Sequence, residues 1–348
     1  MRRGWMDWNE AEWPDALLRG RVAQVAAACA ALDVDALLLY TGFTRPAQVS
    51  ALTHFVPFWS QALLAITRSG ESMLAMATTG RTVQWIRSVS RVGEVIVGPE
   101  IGASAGQWLA ALKHVRRVAL AAPDDWPQSA HAGLRRTLPE AKLEAAGPWL
   151  TTLEAGFDPS FHVCRTANAI ADSAIALVCS GAGWSNANAL VAALDGHCRA
   201  LGAEEVSVHL APDLSLIPVP HRLEGPTELG LRFGVRLTLA YKGHWLRAGS
   251  SFSATGATVE ELPACVAARH ELRDAAMRNR RIDALLAAVQ QASGARVADW
   301  HLEARRAGLP LASVSASDRD GAASAPGGST LSARLELDGL PLILSTPL

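Results

Sequence analysis

Three histidines and three arginines in the second half of the chain have the types and spacing to do chemistry. His209 in EEVSVHLAP, His221 in PVPHRLEG and His244 in KGHW fall on neighbouring predicted elements. An imidazole titrates near neutrality and serves as an acid–base group or a metal ligand. Three that converge could hold one zinc ion, although strand alternation accounts for each of them equally well. Arg236 and Arg247 bracket RLTLAYKGHWLR, and Arg334 follows in ARLELDG. A guanidinium stays protonated and cannot ligate a metal, but it grips a carboxylate or phosphate through paired N–H donors. The arginines therefore point either to an anion site or to surface side chains lying along apolar ground.

The elements that must position these residues follow from periodicity. Residues 15–32 read as an amphipathic helix and DVDALLLY as a buried strand, followed by a loop and a short helix. Two strands flank a Ser-Gly-Glu turn, and short strands (VGEVIVG, RRVALAAP, AKLEAA) then alternate with helices. Short joins between alternating elements specify an α/β layer domain over 1–155. Trp5, Trp8 and Trp13 have the spacing to share one helix face.

GPWLTTLEAGFDPS marks the expected boundary, and the text changes after it. In 156–348, two helices, a strand and a hairpin occur in order, with Gly202 as a helix C-cap. The same order then returns. A long helix is predicted over 262–294, a shorter one over ARVADWHLEARRAG, a strand over LPLASVSAS and a closing hairpin over STLSARLELDGLPLILSTPL. VRLTLAYKG aligns over ARLELDG with two residues fewer in the second turn, so Arg334 falls opposite Arg236 and Ile343 near Arg247. Duplication explains this order, with both hairpins in one sheet and the helices outside it.

DALLLYTGFTRPAQVSALTHFVPFWSQALLAITRSGE, GAEEVSV, VPH and YKGHWLRAGSSF occur in the order of landmarks of the pita-bread superfamily, which includes methionine and Xaa-Pro aminopeptidases, prolidases and creatinase. The chain resembles that superfamily over nearly its whole length. The resemblance implies an α/β N-terminal creatinase-like domain plus an α+β pita-bread C-terminal domain with a degenerate, shortened second half. Metal-dependent members hold two metal ions with two Asp, one His and two Glu, and the metals generate a nucleophilic hydroxide. Their two Asp lie in a pattern like D-L-G-A-x-Y-x-G-Y-x-x-D, and the matching positions here are Arg236 and Arg247. AGLPLASVSAS lacks the histidine of the family's Gly-His-Gly loop, and Glu336 restores one carboxylate only if the alignment slips. The resemblance thus implies no metal and no cofactor. His221, 15 residues before Arg236, falls near a substrate-contacting histidine that creatinase uses as a metal-free acid and base. The arginines would repel a creatine-like cation and welcome an anion.

Composition narrows the classes further. A net charge of −1 gives no electrostatic footprint for nucleic acid, and 49% hydrophobic with 19% charged residues excludes disorder. The five cysteines form no C-x-x-C pair and read as reduced core thiols. No signal peptide or window of about 20 apolar residues is present, so a cytoplasmic location is expected. Phosphate-loop and G-x-S-x-G patterns are absent. Glu204 and Glu205 read as solvated, and RHELRDAAMRNRRIDALL as a solvent face.

Three functions follow from these readings. The first is a non-catalytic protein that binds a small anion or partners an active family member. The second is a metal-free hydrolase or lyase of a small C–N substrate, with His221 as acid and base. Its clamps would be Arg236 and Arg247, with His244 and Arg334 lining the same site. The third, a metallopeptidase, is the least consistent with the residues. A homodimer is implied by the resemblance, with TGFTRPAQ reaching the partner's cleft.

Overall fold

A computed structural model describes residues 8–42, 47–57, 60–147, 150, 157, 161–180, 184, 186–306, 309–318 and 323–348. Trp5 and most of the expected boundary lie outside them, as does the middle of TGFTRPAQ. The chain divides into two compact units, Met1–His162 and Val163–Leu348.

In the first unit, helix α1 (Asp15–Ala31) precedes strand β1 (Ala36–Gly42), and α2 (Ala47–Thr53) leads to β2 (Gln61–Thr67) and β3 (Ser72–Met76). Next come α3 (Val83–Val89), β4 (Glu94–Val97), α4 (Ile101–Ala111), β5 (Arg117–Ala121), α5 (Gln128–Thr137) and β6 (Lys142–Ala145). The six strands run in the order β4-β3-β2-β1-β5-β6. Strand β1 pairs antiparallel to β2 and parallel to β5. Alternation decides the layers. Leu37 and Leu39 of β1 pack with α1, α2 and α3, while Ala36 and Leu38 pack with α4 and α5. The result is a sheet covered on both faces, as short joins between helices and strands require.

Trp8 and Trp13 do not share a helix face. They precede α1 on a turn, and both pack against His54, at ring-centroid distances of 5.1 and 5.2 Å. The guanidinium of Arg91 covers Trp8 at 3.8 Å and binds Asp15 at 2.6 Å, which fixes the entry to α1.

The second unit opens with α6 (Phe161–Cys179) and α7 (Ala187–Ala200), capped by Asn186, whose side chain accepts from the Ala189 amide at 2.9 Å. Gly202, at φ +105°, ends α7 as expected. Strand β7 (Glu205–Ala211) and the hairpin β8 (Arg232–Tyr241)–β9 (His244–Thr255) complete the first half, and β10 (Thr258–Glu261) pairs with β9. The second half comprises α8 (Pro263–Arg278), α9 (Ile282–Ser293), β11 (Arg296–Arg306), β12 (Leu309–Ser315) and the hairpin β13 (Thr330–Leu337)–β14 (Leu340–Pro347). Each half buries its two helices against its own strands, in two separate apolar clusters. The strands form one sheet in the order β12-β11-β13-β14-β9-β8-β7, with β10 beside β9 off this path, and the end of β11 also pairs with the start of β9.

Three expectations are corrected here. ARVADWHLEARRAG is mainly strand β11, not a helix. The long helix over 262–294 is two helices, broken where Asn279 and Arg281 adopt extended backbone. The hairpin turns have equal length. Lys242-Gly243 and Asp338-Gly339 all have positive φ, the geometry of two-residue hairpin turns. Superposing the turns puts Ser332, not Arg334, opposite Arg236, leaves Ile343 opposite Arg247, and removes Glu336 from either position.

Helices α4 and α5 approach closely at Gly102 and Gly133. A Cβ on Gly102 would lie 2.0 Å from the Ala130 carbonyl oxygen, a backbone atom that cannot rotate away. Gly102→Ala is expected to lower the stability of the first unit by about 1–3 kcal/mol. Denaturant unfolding checks this, and an unchanged midpoint would show that the helix pair tolerates separation.

Candidate functional site

The inner face of the second unit's sheet is built by strand alternation. Val235, Leu237 and Leu239 of β8 face the helices, so Arg236 and Thr238 face the other way. On β9, Leu246 and Ala248 face the helices, so Arg247 and Gly249 join Arg236 on the inner face. His209 pairs directly with Arg236 across β7–β8, and Thr238 pairs with Arg247 across β8–β9. The inner face therefore brings His209, Arg236 and Arg247 together.

His221 lies in the loop between β7 and β8 and bridges to Leu210, with both backbone hydrogen bonds at 2.9 Å. Its neighbour Pro220 accepts a hydrogen bond from Arg236 Nη2 at 3.3 Å. His221 Nδ1 lies 3.2 Å from the Val219 carbonyl oxygen. That oxygen can only accept, so Nδ1 is the donor in this contact.

Sequence reasoning missed the group that organises this face. Glu303 on β11 has a side chain only 3% exposed, and its carboxylate meets Arg247 Nη1 at 2.5 Å and Arg305 Nε at 2.7 Å. His301 Nε2 lies 3.5 Å from the same carboxylate. The signal was present as alternating charge in HLEAR, but reading the segment as a helix hid it. Arg247 also donates from Nε to Thr238 Oγ1 at 3.3 Å. Arg247 is thus bound into the protein. Arg236 has a buried Nε, His209 a buried Nδ1 and Glu303 a buried Oε1 with no hydrogen-bond partner among the described residues, and Glu303 Oε1 meets Arg247 as an ion pair.

Electrostatics follow this layout. Burial pushes the Arg236 guanidinium below its ordinary pKa, and the charge of Arg247 adds to the effect while Glu303 opposes it. Arg247 is lowered by burial as well, against the support of Glu303. Burial also lowers His209, and Arg236, Arg247, Arg222 and His221 lower it further by repulsion. Positive charge is in excess here.

The remaining sequence-predicted residues stand elsewhere. His244 belongs to the helix-facing set of β9, and its Nδ1 lies 3.6 Å from Cys164 Sγ on α6. It does not join His209 and His221, which removes the three-histidine zinc site. Arg334 is exposed and pairs with Ile343 across β13–β14. Glu336 is engaged by Arg296. Glu204 is buried rather than solvated, because its carboxylate accepts the Lys242 amide at 2.8 Å and holds the β8–β9 turn.

These residues do not suit a pair of divalent ions. Among the described residues, no three of His, Cys, Asp or Glu come together to hold a metal. Ile343 clusters with Ala211 and Leu214, and it fits because Gly234 has no Cβ, which would lie 2.2 Å from Ile343 Cδ1. An apolar plug and guanidinium groups are poor company for a dication.

No family model matches the sequence, and no curated protein matches it. Solved structures do match. An X-Pro aminopeptidase from Thermotoga maritima MSB8 is 14% identical, with 93% of each chain covered and a TM-score of 0.60. A prolidase from Pyrococcus horikoshii OT3 is 10% identical, with 94% of each chain covered and a TM-score of 0.59. An X-prolyl aminopeptidase from Caenorhabditis elegans, described as a cytosolic enzyme with a di-nuclear active site, is 12% identical and has a TM-score of 0.54, with 99% of this chain and 60% of that chain covered. Among the described residues, no helix is long and apolar enough to cross a membrane. A covered α/β sheet followed by a duplicated, helix-backed antiparallel sheet, matched along nearly the whole chain, gives this protein the two-domain pita-bread fold of the Xaa-Pro aminopeptidases and prolidases.

Proposed function

We propose that this protein is a catalytically degenerate relative of the Xaa-Pro peptidases whose inner face binds a small anion in place of two metal ions. The observation that carries this reading is the trio His209, Arg236 and Arg247 on one face, with Glu303 already committed to Arg247 and Arg305. An oxyanion would satisfy the buried Arg236 Nε and, on protonation, His209 Nδ1. It would also offset the repulsion that lowers both groups. Arg247 acts here as a structural cation, and Arg236 as the binding one.

A metal-free hydrolase is the second reading. It is favoured by the contact of His221 Nδ1 with the Val219 carbonyl, which orients the ring in a loop tied to Arg236. That activity would be lost in His221→Ala.

Thermal shift on metal-stripped protein tests the main reading. Phosphate or a small dicarboxylate at a hundredfold excess over Kd should stabilise the protein by about 2.7 kcal/mol. The shift should vanish in Arg236→Gln. Strong stabilisation by Mn²⁺ or Zn²⁺ in place of anions would return the metallopeptidase.

The ion pair makes a separate prediction. Glu303→Gln leaves Arg247 and Arg305 without their shared counter-charge. Both arginines keep part of their surface in water, at 24% and 29% exposed. The expected loss is therefore near the lower end of the range for a broken buried pair, about 3 kcal/mol. Equilibrium unfolding measures it, and a loss below about 1 kcal/mol would mean that the pair is dispensable.

The lowered pKa of His209 sets a sign for pH dependence. The unfolded chain takes up its proton near pH 6.5, before the folded protein does. The contribution of neutral His209 is therefore present above that pH and is lost as pH falls through the window below it. His209→Gln should flatten the acid side of the stability curve relative to wild type. Saturating phosphate should flatten it in wild type by supplying the counter-charge.

A further inference from the structure

The five cysteines stand in different surroundings, and only three of them are the core thiols expected from the sequence. Cys29, Cys198 and Cys265 are buried. Burial pushes the thiols of Cys29 and Cys198 up to about 11 and raises that of Cys265 as well. Cys179 is exposed at the end of α6, yet desolvation raises its thiol, and repulsion from Glu261 and Glu260 adds to the rise. Thiols held protonated in this way react slowly, because the thiolate is the nucleophile. Cys164 differs. It is half-buried, it stands in the first turn of α6, and its Sγ lies 3.6 Å from His244 Nδ1.

Two elements fix this pair. Side chains of a helix tilt toward its N-terminus, so the thiol reaches back over the first turn of α6, the positive end of the helix dipole. His244 opens β9 directly after the Lys242-Gly243 turn, which Glu204 holds through the Lys242 amide at 2.8 Å. A neighbouring imidazole and a helix N-terminus both favour the thiolate. One turn further along the same face of α6, Asn168 has a buried Oδ1 with no hydrogen-bond partner among the described residues. That oxygen calls for a donor. A hydroperoxide suits all three groups: it is small, it carries an O–H to donate, and its leaving oxygen needs a proton. We infer that Cys164 and His244 form a peroxide-reactive thiol site, on the helix-facing side of the sheet and apart from Arg236. The thiol passes its proton to His244, and the sulfur attacks the hydroxyl-bearing oxygen of the peroxide. A sulfur–oxygen bond forms as the oxygen–oxygen bond breaks. The cysteine is oxidised to a sulfenic acid, the peroxide is reduced, and the imidazolium returns the proton to the departing oxygen, which leaves as water or an alcohol.

Hydrogen peroxide and dimedone, which traps sulfenic acid, test the site on the reduced full chain at neutral pH, with the modified residue read by peptide mass spectrometry. Cys164 should carry the adduct ahead of the other four cysteines, and Cys164→Ser should remove it. Methyl methanethiosulfonate gives the comparison, because its sulfinate leaves without a proton and it has no O–H to donate. Gain in thiolate and loss of basicity partly cancel, so His244→Asn should slow the methanethiosulfonate reaction of Cys164 by only about threefold. It should slow the peroxide reaction by about tenfold or more, since proton delivery to the leaving oxygen is lost as well. Asn168→Ala should slow peroxide alone. A loss of packing would change both reagents together, so equal slowing in His244→Asn overturns the inference. Wild type alone also decides: if Cys179 reacts with peroxide as fast as Cys164, or if Cys164 is modified only after unfolding, Cys164 is not a peroxide site.

Discussion

The second unit depends on one ion pair, between Arg247 and Glu303. Arg247 belongs to the first half of the duplicated unit, on β9, and Glu303 to the second half, on β11. Where they meet, Arg305 and Arg306 of β11 pair with Trp245 and His244 of β9, so the sheet folds back on itself. Burying a carboxylate costs several kcal/mol unless cations and hydrogen bonds replace its water. Arg247 and Arg305 supply that replacement and leave no counter-charge over. The Arg247 backbone is anchored as well, since its amide donates to Thr330 Oγ1 at 3.2 Å. Fixing Arg247 in this way places Thr238, Arg236 and His209 in a row behind it.

The same constraint explains why the inner face carries unbalanced charge. Glu303 pairs with Arg247 and Arg305 and only partly offsets the charge of Arg236, while Arg236 and His209 pair directly across β7–β8. A pita-bread sheet built around a metal pair needs convergent carboxylates. This one instead fills part of the space with Ile343, Ala211 and Leu214. Removal of the Gly234 side chain makes that filling possible and ties the apolar plug to the loop that bears His221. Charge, plug and loop therefore form one arrangement.

Much of this was legible in the chain. The alternation of VRLTLAYKGHWLRAGSSF sets Arg236 and Arg247 on one face, and the lysine–glycine turn fixes their register. The α/β alternation of the first unit was equally clear, because its central strands β1, β2 and β3 are apolar on both faces and its helices have short joins. The second half was misread where local pattern and tertiary role diverge. In β11, a bulge between Val297 and Asp299 shifts the face that each later residue presents. Val297, Trp300 and Leu302 then face the helices, a spacing that imitates one face of a helix. The break between α8 and α9 has neither proline nor glycine to announce it. It exists because Arg281 leaves helical geometry to bridge with Ser324, a contact 43 positions away.

The sequence by itself determined the architecture, since period-two alternation, paired hairpin turns and internal duplication are local properties that survive without neighbours. It also determined that guanidinium groups stand at Arg236 and Arg247, because residue type and strand face need only the chain. The tertiary structure alone decided which arginine meets the buried carboxylate. Glu303 lies 56 positions beyond Arg247 and reaches it only when β11 closes onto β9, and that long-range pairing makes Arg247 a brace while Arg236 is held by the Pro220 carbonyl instead.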